Sequence, residues 1–190
     1  MQSLLSIIDI MEVVLRPVRG FDDTMINRVI EHLERVTPWQ FQTGPEMTDL
    51  DYAYLANRNQ YDADSILIQL LKEKRSDRKV VGLVGVDLCT PILAFVFGRA
   101  QLYGEVAIVS LYRLDNSYYR LPVDPDLLNK RVVKEVIHEI GHLQGLYHCQ
   151  NRWCVMNSSS TIINIDLKGS DFCSSCLTFL RERGWYGIRG

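Results

Sequence analysis

Residues 138–149 read HEIGHLQGLYHC, so three of the four histidines in a 190-residue chain fall within one stretch of twelve. That concentration constrains the fold more than any other feature, because side chains that share an ion must be delivered to one point. Ahead of it and through it, Val132, Val133, Val136, Ile137, Ile140 and Leu143 recur with helical spacing and fall on one side. On such a helix His138 and His142 stand at i and i+4, one turn apart on one face, close enough to hold a single ion. Glu139, one position on, points past the ion and puts its carboxylate where a bound water would sit, as a general base requires.

A catalytic zinc takes three protein ligands and keeps a fourth position open for water. His148 is the third candidate, but a helix continuing six residues past His142 would carry it far along the axis and to the wrong side. The chain must therefore stop and turn back. Gly145 is placed to do this, since glycine takes the positive φ of a helix C-terminal cap without steric cost.

The start of that helix is equally legible: Pro-Val-Asp-Pro at 122–125 offers Asp124 as N-cap and Pro125 at the first helical position. Upstream, residues 7–18 alternate like a strand, and Met25, Ile26, Val29, Ile30, Leu33 and Val36 mark an amphipathic helix opened by Asp22 or Asp23. A short strand is expected near Trp39 and Phe41, and a helix over 65–73, followed by the polar turn KEKRSDRK. Residues 79–89 form an apolar run expected as one strand buried on both faces, with further strands at 92–97 and 105–111, the last two joined as a hairpin. The alternation predicts a mixed α/β sheet, mostly parallel with one antiparallel edge strand, in a single domain over residues 1–190. Little regular structure is expected beyond the histidine stretch until a last helix over 172–183.

With 47% hydrophobic and 23% charged residues the chain has the composition of a soluble globular protein, large enough to bury a core without disulfide staples. A net charge of −2 gives no electrostatic reason to expect nucleic acid or an anionic membrane as partner. The apolar amino terminus carries Asp9 and Glu12 and lacks a basic start and a cleavage site, so it reads as a strand and not a signal peptide, and a cytoplasmic, monomeric enzyme is expected.

Of five cysteines, Cys89 stands alone in an apolar stretch and reads as a small buried hydrophobe, and His32 reads as a surface residue. The other four cluster as Cys149 and Cys154 with Cys173 and Cys176, the last two forming a C-x-x-C. Two close pairs of this kind suit a structural, fully coordinated zinc, with two disulfides as the competing reading. The basic residues around them, Arg152, Lys168, Arg181 and Arg183, are too scattered for a nucleic-acid module.

Met156 lies eight residues past His148, and HExxHxxGxxH followed by a methionine-bearing turn is the signature of the metzincin clan of zinc peptidases. The continuation Cys149-x4-Cys154-x-Met156, then Cys173-x-x-Cys176, resembles the archaemetzincin family, as does FVFGRAQLYGEVAIVSLYRL at 95–114. The resemblance implies a mixed sheet with an antiparallel upper edge strand, an active-site helix and a methionine turn beneath the metal. It implies His138, His142 and His148 on a catalytic zinc, Glu139 as base, and Cys149, Cys154, Cys173 and Cys176 on a second zinc. Peptide-bond hydrolysis is the expected activity, with the peptide extended along the edge strand near 95–100. The alternative is a non-catalytic zinc protein that uses its cysteine site as an interaction module. Tyr112, Tyr147 and Arg99 remain equal candidates for stabilising an oxyanion.

Overall fold

The computed structural model describes residues 11–18, 22–47, 49–74 and 78–183; the part of the expected first strand at 7–10 lies outside them. Strand β1 (Glu12–Pro17) leads into helix α1 (Asp23–Val36), whose N-cap is Asp22, accepting from the Thr24 N–H. Strand β2 (Gln40–Thr43) pairs parallel to β1 on one side, and β5 (Lys79–Val84) on the other. Strand β8 (Val106–Ser110) pairs parallel to β5, and β7 (Gly98–Ala100) closes the sheet antiparallel to β8, in the order β2-β1-β5-β8-β7. The expected mostly parallel sheet with one antiparallel edge is what forms.

Alternate residues of the central strands feed two cores. Val13, Leu15, Val81, Leu83 and Val109 face α1 and the long helix α3 (Pro125–Leu143). Val14, Val80, Val84, Val106 and Ile108 face α2 (Ala63–Glu73), through Ile66, Leu67 and Leu70. Burial on both faces is why these strands read as unbroken apolar runs.

Four expectations are corrected. The run 79–89 is divided: β5 ends at Val84, and β6 (Leu88–Cys89) joins a separate three-stranded sheet with β3 (Tyr54–Leu55) and β4 (Gln60–Asp62). Asp87 lies in the break, held by a two-point ion pair to Arg113 at 2.7 Å. Residues 92–97 form no strand beyond a single bridge at Val96. The Arg58 guanidinium takes the carbonyls of Thr90, Leu93 and Ala94, and Gln60 also donates to Ala94, so side chains hold carbonyls that a ladder would need. The edge strand is instead Gly98–Ala100, in the segment read as a link. Finally, helix α4 (Ile162–Leu167) was not expected; Thr161 and Asn164 build a capping box at its start. The last helix, α5, is shorter than 172–183 and spans Ser174–Arg181.

Candidate active site

Helix α3 begins as read, with the Asp124 carboxylate accepting from the Leu127 N–H and Pro125 in its first turn. It packs against α1, β7 and β8, so its second half is enclosed, leaving His138 5% and Glu139 4% exposed. Burying polar groups is costly unless they find partners, and both histidines of the helix have them.

His138 Nδ1 donates to the Val155 carbonyl at 2.7 Å, and His142 Nδ1 donates to the Leu146 carbonyl at 2.7 Å. A carbonyl accepts only, so each Nδ1 carries the proton and each neutral ring presents a bare Nε2. The two Nε2 atoms face each other at 3.1 Å. Two lone pairs at that separation repel unless a cation lies between them, and tetrahedral Zn–N bonds near 2.05 Å would set their spacing at roughly 3.3 Å.

The turn that brings His148 back is built at Gly145, whose φ is +89°. Its N–H donates to the His142 carbonyl and the Leu146 N–H to that of Gly141, which ends the helix. The His148 ring centroid then lies 5.3 Å from that of His138 and 5.0 Å from that of His142. One ligand atom from each of the three lies within 4.8 Å of the others, a donor set and spacing that fit zinc. Burial lowers the pKa of all three, that of His142 to about 4, which favours the uncharged form a ligand needs.

Met156 is fully buried beneath this group. A methyl group on Gly141 would overlap its Sδ and lie 3.1 Å from its Cε, so the glycine inside the HEIGH run is a space requirement for the turn below. Glu139 reaches toward β7 and lies directly over Gly98. Its Oε2 is buried without a hydrogen-bond partner among the described residues, and burial, followed by the neighbouring Glu135, pushes its carboxyl pKa well up.

Two buried residues near the histidines were missed in the sequence. Lys168 Nζ lies 2.8 Å from Glu135 Oε1, 3.4 Å from the Asn157 carbonyl and 3.5 Å from His138 Nδ1. In the sequence Lys168 is only one of the scattered basic residues around the cysteines, yet its side chain is 1% exposed. Glu135, three residues before His138, carried a detectable signal only as an acid on a face otherwise occupied by the metal motif. It also lines the cleft of about 530 Å³ that runs between β7 and Ser158–Ser160, with Phe95, Phe97, Arg99 and Tyr147 in its walls. Tyr112 meets Tyr118 edge to face and is not in that lining, and the Arg99 guanidinium is engaged by Asp64 at 2.9 Å, which leaves Tyr147 as the oxyanion candidate beside the histidines.

The four clustered cysteines also meet. Cys149 Sγ and Cys173 Sγ are 3.6 Å apart, and Cys154 Sγ and Cys176 Sγ 3.8 Å. A disulfide needs about 2.05 Å; four Zn–S bonds near 2.3 Å in a tetrahedron need an S···S edge of roughly 3.8 Å. The spacing fits a shared ion and not two disulfides. Burial pushes the Cys173 thiol up, but N–H and thiol hydrogen bonds led by the Cys176 backbone outweigh it and bring its pKa to about 7. The two clusters share a scaffold, for the Cys149 N–H donates to the Met156 carbonyl at 2.9 Å and Asn157 Nδ2 donates to the Cys149 carbonyl at 2.8 Å.

Residues 45–182 match the model of peptidase family M54. The chain is 38% identical over 177 residues to the archaemetzincin of Methanocaldococcus jannaschii, covering 93% of this chain and 97% of that one. It is 42% identical over 141 residues to that of Pyrococcus horikoshii, covering 73% and 75%. Among solved structures, the archaemetzincin of Methanopyrus kandleri superposes with a TM-score of 0.79 at 36% identity over 91% of this chain and 94% of that one. A zinc-dependent peptidase from Methanocorpusculum labreanum gives 0.79 at 30% identity, covering 88% and 99%.

Proposed function

We propose a mechanism from one premise: the chain belongs to peptidase family M54 and is a zinc metallopeptidase of the archaemetzincin kind. His138, His142 and His148 would hold the catalytic zinc, and the observation that carries this is the pair of unprotonated Nε2 atoms facing each other at 3.1 Å. Zinc, when bound, supplies a Lewis acid that makes water a nucleophile at neutral pH and polarises a carbonyl. Glu139 is the base: its carboxylate takes a proton from the attacking water and passes it to the departing amine. Burial suits it to that work, because a carboxylate stripped of water binds a proton more tightly than one in bulk solvent.

The substrate is a peptide in extended form. Among the described residues strand β7 pairs with β8 on one side only, so its outer edge offers backbone N–H and C=O groups along the cleft. A peptide strand added there would place a scissile bond beside Glu139, held by main-chain hydrogen bonds, with Phe95 and Tyr147 offering apolar contact to its side chains. Cys149, Cys154, Cys173 and Cys176 would hold a second, structural zinc, making two per chain in one domain; four thiols kept reduced for an ion suit a cytoplasmic setting. Among the described residues, no helix is long and apolar enough to cross a membrane.

The test is Glu139→Ala assayed against a peptide library. The variant is expected to keep its zinc and to lose about 10²–10⁴-fold in turnover, the usual share of a general base. Cleavage at the wild-type rate would remove Glu139 from the mechanism, and a wild-type protein with full zinc and no cleavage of any peptide would favour a binding role.

A further inference from the structure

We propose that Gly98 is a positioning residue for Glu139: the missing side chain leaves the space in which the carboxyl of the base lies against the edge strand. The proposal rests on the reading of Glu139 as the base. A β-carbon built on Gly98 would overlap Oε1 of Glu139 and lie 2.8 Å from both its Cδ and its Cγ. Contact with Cγ means that turning the carboxylate about its last bond does not relieve the clash; the side chain must swing away from its root. Among the described residues the only free space beside it is the cleft that it lines, so the swing would carry the carboxyl away from its place against the edge strand.

The backbone does not call for glycine at this position. Among the described glycines only Gly145 has a positive φ, so residue 98 adopts a conformation open to any side chain. Within a strand, glycine gives up packing and is costly in conformational freedom. What it offers at Gly98 is the absence of a side chain, and what fills that absence is the base.

Strand alternation makes the site separable from peptide binding. Arg99 pairs with Asp64 of α2, on one face of the sheet, while Gly98 faces Glu139 of α3 on the other. A methyl group at residue 98 would therefore enter the space of the catalytic carboxyl and leave the outer edge of β7, where substrate would pair, untouched. A role in substrate binding would act on KM; a role through Glu139 acts on kcat.

The experiment compares wild type, Gly98→Ala, Glu139→Ala and Gly98→Ala/Glu139→Ala, with zinc content measured in each. Gly98→Ala is expected to keep both zinc ions and the wild-type KM and to lose at least tenfold in kcat. Alanine at residue 139 ends at Cβ and removes all three contacting atoms, so the same glycine change should cost little or nothing of the residual turnover in the Glu139→Ala background, a non-additivity diagnostic of contact. A kcat within twofold of wild type, an equal loss in both backgrounds, or a loss confined to KM would each overturn the proposal. Should Gly98→Ala melt at a lower temperature, Gly98→Ala/Glu139→Ala should recover it, and a loss that persists without the glutamate would overturn it too. Failure of the catalytic reading is recognised separately, as wild-type turnover in Glu139→Ala. In that event the position of the Glu139 side chain in a crystal structure of Gly98→Ala still decides the steric claim.

Discussion

Lys168 carries an ammonium group in full burial, and its neighbours explain how that is tolerated. Its charge is met by Glu135 at 2.8 Å and its remaining protons point toward the Asn157 carbonyl on the methionine turn. A buried pair of this kind adds little net stability over apolar packing, but removing one partner strands the other charge, at about 3–5 kcal/mol. Lys168→Met is therefore expected to lower the unfolding free energy by that amount in denaturant titrations, while Glu135→Leu/Lys168→Met recovers most of it. A single variant as stable as wild type would show that Glu135 is neutral or hydrated. At this scale the sequence was legible where chemistry demands rare residues at fixed spacing, as with His138, His142, His148 and the four cysteines. It was silent on Lys168, because nothing local distinguishes a lysine that ends in solvent from one that ends against Glu135, more than thirty residues away.

Helix α3 shows what made the elements readable. Its cap, its first-turn proline and its terminating glycine are all local signals, and all three act where expected. The segment 92–97 was misread for the opposite reason: its apolar, strand-like residues are overruled by carbonyl contacts from Arg58, which lies more than thirty residues upstream. The histidines at the end of α3 also set a pH dependence. In metal-free protein burial lowers the pKa of His138, His142 and His148, that of His142 to about 4, whereas in the unfolded chain each takes up a proton near 6.5. Between those values the unfolded state binds more protons, so stability is present above about pH 6.5 and is lost as pH falls toward 4. Glu139, with its raised pKa, works in the other direction, one group against three. Thermal melts of chelator-treated protein should give a lower midpoint at pH 5 than at pH 7, and the reverse order would contradict this sign.

At the scale of the whole molecule, the sheet and the two cores set the frame, but the C-terminal third around the site is tied by polar contacts. Arg131 of α3 makes a two-point pair with Asp166 of α4 at 2.7 and 2.8 Å, and Lys134 donates to the Ile165 carbonyl at 2.9 Å. The four thiols then join the chain after His148 to the start of α5. Elemental analysis of protein purified without added metal is expected to give about two zinc ions per chain. A chelator is expected to take first an ion held by the three histidines, because three protein ligands would leave a position open whereas four thiolates would close theirs. One ion per chain with a single titratable thiol, that of Cys89, would instead mean disulfides. The hydrogen bond from the Cys149 N–H to the Met156 carbonyl ties the loop that presents His148 to the four thiols. If the four thiolates hold zinc, closing them would fix the loop that presents His148, and the expected order is that the thiolate site loads first and the histidine site empties first. A cell short of zinc would then hold a reserve of folded, idle enzyme, returned to work by the uptake of a single ion.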